Sequence, residues 1–373
     1  MTIIDRLMRL DQNDLEDALY RLTGRDETNL SRAALADDIA KVYAETPARL
    51  RRCLGLHALN SLQERMKQRG LTLTGGEAEE DGALWSTVDS LVHFGLCAET
   101  VYGWAMAPEC RQLLKPGQEE NERLAADEML FAVADGLLAH VGMLEKGAFC
   151  DQVSRFVPAM TEVDLMDVIA ARYGLRAWFR VDSLMPGGPE EIWICFPELE
   201  DAEVLLQELD VPEVMRIPYA DIPLSSLISA HMLSMPVTAE QMDGYLRAMA
   251  QVNVKEPDAT DLLYQAVCEI QNGGGEPGGR SPGPEVSGEA AAIISQTCEN
   301  LPRWNLKGHT PGEAASLFRA AHASQLHPLT RSFDGPRVIP FPAGKPPVPD
   351  ISPDAPCPCG SGKTFGACHG RKM

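Results

Sequence analysis

Thr161-Glu162-Val163-Asp164-Leu165 opens a run, 161–195, whose order of elements decides how the body of this chain reads. Thr161 with Asp164 resembles a capping box, aspartate standing where Glu or Gln is usual; the two side chains satisfy backbone N–H groups at a helix start. Leu165, Val168 and Ala171 follow at helical spacing. Tyr173-Gly174-Leu175 forms a glycine corner, and Trp178-Phe179-Arg180-Val181 and Glu191-Ile192-Trp193-Ile194-Cys195 are strand candidates. Leu199 to Leu209 is helical again, and Glu128 to Lys146 upstream reads as one long helix. Helices, a corner and two strands in this order predict a winged-helix-like unit.

The same order stands closer to the N-terminus. Leu7, Leu10, Leu15, Leu19 and Leu22 recur near helical spacing, and Ser31 can cap a helix through Leu35, Ile39 and Val42. Thr46 with Pro47 starts a third helix containing Leu50, Leu54, Leu56 and Leu59, because proline is accommodated in the first helical turn. A polar stretch, Thr74 to Gly82, precedes an amphipathic helix over Leu84–Val92. Phe94-Gly95-Leu96-Cys97 then gives a second glycine corner, Thr100–Met106 one short strand, and Cys110–Leu114 a short helix. Two related winged-helix-like units are therefore expected in tandem.

Beyond them, Thr238-Ala239-Glu240-Gln241 is a capping box, and Leu262–Ile270 closes a helical stretch. Asn272 to Gly288 is a Gly/Pro/Ser/Glu loop with too little apolar surface to order itself. After a short helix near 289–299, Thr310-Pro311-Gly312-Glu313 joins an N-cap, a first-turn proline and a capping glutamate. Residues 331–356 hold eight prolines and read as a semi-extended spacer.

The tail carries the chemistry. Cys357-Pro358-Cys359 is followed, eight residues later, by the adjacent pair Cys368-His369. Three thiolates and one imidazole make a Cys₃His set suited to tetrahedral zinc. Gly360 and Gly362 permit the tight turns that wrap backbone under a metal. A segment this short has no core, so metal binding would supply its folding energy, roughly 10–16 kcal/mol in structural zinc peptides. The other use of these residues is a disulfide or free thiols. Gly360-Ser361-Gly362-Lys363-Thr364 imitates the end of a phosphate-binding loop, but Cys357 stands where that motif needs its first glycine, and no nucleotide site is expected.

The run PCPCGSGK from Pro356, with the later CHGR, resembles the SEC-C motif, the zinc knuckle at the tail of SecA translocase ATPases and of many small bacterial proteins. The resemblance covers under a twentieth of the chain, and no helicase motor motifs accompany it. It implies zinc ligation by Cys357, Cys359, Cys368 and His369. In SecA the motif contacts the acidic export chaperone SecB and the ribosome. This chain departs from the pattern at Thr364, Gly366 and Ala367, where the family usually carries lysine or other polar residues. Trp304-x-x-x-Gly308-His309-Thr310-Pro311, ahead of such a tail, also resembles a stretch of bacterial SEC-C-bearing proteins.

Net charge is −21, from 54 acidic and 33 basic residues, which argues against nucleic-acid binding by the body. After Asp354 the sign inverts: no acid follows, and Lys363, Arg371 and Lys372 are basic. These three are the candidate partner-binding residues, for a protein with an acidic surface or a ribosome. No apolar run is long enough to span a bilayer and the N-terminus does not read as a signal peptide, so a cytoplasmic protein is expected. The other seven cysteines are scattered and read as reduced core residues. His309 reads as part of a helix-entry packing cluster, His322 and His327 as solvated, and the adjacent acids Glu79-Glu80, Glu119-Glu120 and Glu190-Glu191 as solvated surface.

The expected fold is mainly α with small β additions, a tandem winged-helix-like and helical body plus a C-terminal zinc knuckle. Expected domains are 1–115 (helical, winged-helix-like), 116–271 (second winged-helix-like and helical), 272–288 (disordered loop), 289–330 (helical), 331–356 (Pro-rich linker) and 357–373 (SEC-C zinc knuckle). Two functions fit. One is a non-enzymatic zinc-binding adaptor that docks its partner through the knuckle. The other is an enzyme or nucleic-acid-binding regulator whose active part is the body, with the knuckle as targeting module. A basic winged-helix recognition face would favour DNA binding, and a deep polar pocket would favour catalysis.

Overall fold

The computed structural model describes residues 2–27, 29–69, 72–73, 82–101, 103–181, 191–273, 287–326 and 364. Most of the Gly/Pro loop at 272–288, the linker at 331–356 and, except for Thr364, the knuckle at 357–373 lie outside them, as do Glu79-Glu80, Glu190 and His327. The chain divides into a unit of residues 1–322 and a second of residues 323–373.

The described chain is mainly helical with two small sheets. It begins with α1 (Ile3–Leu7), α2 (Gln12–Thr23), α3 (Arg32–Glu45) and α4 (Pro47–Arg69). Ser31 caps α3 by accepting from the Ala34 N–H. Next come β1 (Thr72–Leu73), α5 (Gly82–His93), β2 (Cys97–Thr100), β3 (Gly103–Met106) and α6 (Cys110–Leu113). The single strand expected over 100–106 is instead split across a hairpin, Thr100 ending β2 and Gly103–Met106 forming β3; the two pair antiparallel, and β1 joins the far side of β3. Gly103, at φ 115°, supplies the backbone that lets the chain reverse so tightly.

The long α7 (Gln118–Val141) leads to β4 (Met143–Glu145), α8 (Lys146–Ser154), α9 (Glu162–Tyr173), β5 (Trp178–Val181) and β6 (Glu191–Cys195). The helix expected over 128–146 therefore starts earlier and stops at Val141. Helical periodicity continues past that point, but Met143 and Leu144 are buried as a strand against β6, and the Phe196 N–H donates to the Gly142 carbonyl. Sheet pairing has overridden local propensity. Thr161 and Asp164 form the capping box read from the sequence. Both glycine corners adopt positive φ, 64° at Gly95 and 70° at Gly174. The two sheets share one order, β1-β3-β2 and β4-β6-β5, with the last strand in sequence at the centre of each.

The remaining described helices are α10 (Ala202–Leu209), α11 (Pro212–Met215), α12 (Leu224–Leu233), α13 (Ala239–Gln251), α14 (Glu256–Gln271), α15 (Gly288–Glu299) and α16 (Pro311–Leu326). Among the described residues, apolar side chains gather in three large clusters and a small one around Val88. One runs from Leu7 to Leu124 and includes Leu50 and Phe94; one centres on α7 and takes in Phe149, Leu165 and Trp304; one joins α13, α14 and α15. A fully buried leucine such as Leu15 or Leu50 contributes about 1.5–3 kcal/mol. Helix α12 lies so close on α7 that a Cβ at Gly136 would collide with the Leu227 carbonyl.

One turn along α7, the Gly136 carbonyl lies 2.7 Å from Nδ1 of the buried His140. Burial pushes this imidazole down to about 4, against the partial opposition of that hydrogen bond. The folded state therefore holds His140 neutral, whereas an unfolded chain takes up a proton near pH 6.5. Below that pH the unfolded state binds more protons, so stability falls at up to about 1.4 kcal/mol per pH unit until the folded pKa is passed. We predict that the urea midpoint drops between pH 6.5 and pH 5 and that His140→Gln flattens this slope. A ring that titrates near pH 6.5 by NMR in the folded protein would contradict it.

Candidate functional site

Cys357, Cys359, Cys368 and His369 lie outside the described residues, as do Lys363, Arg371 and Lys372. Among the described residues no group of three or more His, Cys, Asp or Glu side chains is placed to hold a metal. The seven described cysteines are free thiols; five are buried, and Cys150 and Cys268 are half-buried. Burial pushes Cys97 up to about 11 and Cys110 and Cys195 up to about 12, so these thiols stay protonated and make poor ligands or nucleophiles.

What the described residues do assemble is a seam of charge between α4, α7 and α9. Helix α4 breaks at Gly55, where φ is 82° and ψ 165°. The break frees the Leu54 carbonyl and the Leu56 N–H. Arg172, near the end of α9, donates to the Leu54 carbonyl at 3.3 Å, and Glu128 of α7 accepts from the Leu56 N–H at 3.2 Å. The two side chains bind each other at 2.5 Å, and the Arg172 guanidinium also stacks over Phe131 at 4.8 Å. A Cβ at position 55 would collide with that guanidinium, so the residue must be glycine for space as well as for φ.

Two further pairs extend the seam. Arg51 clamps both oxygens of Glu120, at 2.6 and 2.8 Å, and donates to the Leu113 carbonyl. Arg52 takes both oxygens of Asp127, at 2.8 and 3.2 Å, and reaches Asp167 at 3.3 Å. Glu120 is thus a half-buried partner of Arg51 and not the solvated acid expected from the Glu119-Glu120 pair. Helical spacing explains the difference: adjacent residues point about 100° apart on a helix, so one can face the seam while Glu119 stays exposed. Glu191, by contrast, is exposed as expected.

Around a neighbouring opening, Arg21, Arg49, Arg52 and Arg123 line a cavity of about 210 Å³ with Glu120, Asp127 and Asp167; neither histidine nor cysteine lines it. A second polar cluster is buried deeper. Asp135 accepts from the Tyr173 hydroxyl and lies 2.6 Å from His231 Nδ1, while Phe131 meets both rings edge-on. Burial first, and then the Asp135 carboxylate, hold Tyr173 well above its ordinary value. The group ties α9 and α12 to α7. His309 belongs to a packed helix entry, as its sequence context predicts: it contacts the Pro218 carbonyl at 3.0 Å, and the Trp304 indole donates to Ala139.

Helix α9 lies between β4 and the β5–β6 pair in sequence. Its exposed side chains include Glu162, Val163 and Asp167, and its one basic residue, Arg172, is bound to Glu128. Lys146, on the adjacent α8, is paired with Glu162 at 2.5 Å. This face offers no surplus positive charge to a phosphate backbone.

The chain carries a SEC-C motif: the family model of that description matches residues 355–371. No curated protein and no solved structure matches the chain. No helix among the described residues is long and apolar enough to cross a membrane.

Breaking the seam is expected to be costly. Asp127→Asn should cost about 3 kcal/mol by leaving Arg52 mostly buried without its full countercharge. Asp38→Asn, at the exposed pair with Lys41, should cost far less. Urea denaturation of the two variants checks the ordering; equal losses would mean that the seam carries no special weight.

Proposed function

We propose that this protein is a non-enzymatic adaptor whose acidic helical body presents a zinc knuckle for docking a partner. The observation that carries the reading is the SEC-C match at 355–371, a motif associated with partner docking. The donor set fits zinc: Cys357, Cys359 and Cys368 supply soft thiolates and His369 an imidazole, the Cys₃His combination of closed structural sites. Bound there, the ion would be structural, fixing the fold of the knuckle. Cys357, Cys359, Cys368 and His369 would hold it.

In this reading Lys363, Arg371 and Lys372 contact an acidic protein surface or a ribosome. Support comes from the charge inversion after Asp354 in a chain of net −21. The body is read as two winged-helix-like units in the first 271 residues, split near 115/116, followed by helical segments and a Pro-rich tether at 331–356. The shared strand order of the two sheets supports that reading. The acidic face of α9 supports protein docking over DNA docking. A cytoplasmic location accords with partners of this kind.

Two outcomes test the proposal. Metal analysis of the purified chain should give about one zinc, largely lost in Cys359→Ser; undiminished zinc in that variant removes the ligand assignment. Replacing Lys363, Arg371 and Lys372 together with alanine, at unchanged zinc content, should weaken cosedimentation with ribosomes or capture of an acidic partner. The effect should shrink as salt rises, because exposed charges are screened over about 8 Å at 0.15 M. Full binding by the triple variant, or by a chain ending at Pro356, would move recognition to the body.

A further inference from the structure

Helices α13, α14 and α15 build an apolar core from one contiguous stretch of chain. Among the described residues every member of that cluster lies between Leu233 and Leu301, and neither of the other two large clusters takes a residue from that span. The chain enters and leaves the stretch over very few residues. Ser234 ends α12 in the left-handed region, at φ 52°, immediately before the buried Met235. At the far end Leu301 is buried in this core and Trp304 in the core around α7, with Pro302 and Arg303 between them.

The side chains that fasten this stretch to the rest of the body form a polar clasp on α14. Tyr264 donates to the Glu198 carboxylate at 2.5 Å. Gln271 donates to the Pro302 carbonyl at 2.8 Å and accepts from the Trp304 N–H at 2.9 Å. Just past the helix end, Asn272 donates to the Glu198 carbonyl at 3.0 Å and accepts from the Glu200 N–H at 2.9 Å. Beside the two chain crossings, the Ser229 hydroxyl donates to the Val237 carbonyl and Arg303 to the Cys298 carbonyl. Among the described residues no ion pair joins 235–301 to the remainder. Trp304 serves both sides: its indole is anchored on Ala139 of α7, and its backbone N–H belongs to the clasp.

We propose that residues 235–301 form a hinged lobe, which swings at Ser234 and at Pro302-Arg303 when the clasp of Tyr264, Gln271 and Asn272 opens, and which keeps its own core as it does so. A hydrogen bond opened to water is largely replaced by one to solvent, so a polar clasp opens more readily than a buried apolar core comes apart. A few residues at element ends are enough to absorb the change in φ and ψ. Contiguous pieces of chain with their own packing open as separate units. Three native thiols report on the movement. Cys268 is half-buried on α14 beside the clasp, where burial and then the Glu198 carboxylate push its thiol up; opening relieves both. Cys298 is buried in the core of the lobe and Cys195 in the core around α7. The lobe is separate from the knuckle and does not depend on the tail docking a partner.

Alkylation of the full-length protein with a small maleimide at constant pH, mapped by peptide mass spectrometry, tests this. Gln271→Ala combined with Asn272→Ala removes the bonds of both side chains to 198–200 and 302–304, and leaves Tyr264, which bonds Cys268, in place. Labelling of Cys268 should then quicken by at least about tenfold, the loss of roughly one or two net hydrogen bonds. Cys298 and Cys195 should stay as slow as in the wild type. Unchanged labelling of Cys268 overturns the proposal, because the clasp would not govern the lobe. Faster labelling of Cys298 or Cys195 overturns it too, because the clasp would then be holding a core together. Leu263→Ala, in the core of the lobe, is the second variant. Its labelling should rise at Cys298 while Cys195 stays protected; no rise at Cys298, or an equal rise at Cys195, means that the lobe has no separate core.

Discussion

The Arg172–Glu128 pair sits where a helix breaks, and much of the architecture of residues 1–230 depends on it. A helix interrupted at Gly55 exposes a carbonyl and an N–H inside the protein, each costing about 1–3 kcal/mol if left unsatisfied. Arg172 answers the carbonyl and Glu128 the N–H, and each neutralises the other. One pair therefore ties α4 to both α7 and α9. Buried ion pairs contribute little net stability where desolvation is uncompensated. Here the backbone bonds and the Phe131 ring give the charges further partners, which favours one specific docking over slippage.

The neighbouring pairs repeat the logic with different weights. Arg51 and Arg52 are consecutive on α4, yet both reach α7 because Glu120 and Asp127 are two helical turns apart on it. On the other side of α9, Asp17 accepts from the Leu175 N–H at the glycine corner and lies 3.1 Å from His93 Nε2. Burial alone would raise the Asp17 carboxyl, but the bonds from His93 and Leu175 outweigh it and hold the group below the ordinary value. Arg51, Arg52 and Arg172 are thus drawn into interior seams, while many other basic residues of this body stay exposed. The exposed side chains of α9 include Glu162 and Asp167 and no basic residue.

Local signals in the sequence translated well. Ser31, Thr161, Thr238 and Thr310 each begin a helix through the side-chain bond their position implies, because a cap depends on residues only three apart. The two glycine corners and the strands Trp178–Val181 and Glu191–Cys195 were equally legible. Less legible were the end of α7 at Val141 and the hairpin at 97–106. Both are set by pairing with strands distant in sequence, and periodicity over a short window carries no information about such partners.

The candidate sites divide along the same line. The Cys₃His set and the basic tail are contiguous, so their chemistry is complete within a few residues and could be read from the chain alone. The seam could not: Arg51, Arg52 and Arg172 pair with Glu120, Asp127 and Glu128, which stand far away in sequence. The sequence by itself determined the caps, the glycine corners, the charge of the chain and the metal-ligand set, since each rests on neighbours along the backbone. Tertiary structure alone decided which carboxylates face which arginines, because that pairing depends on how α4, α7 and α9 cross in space.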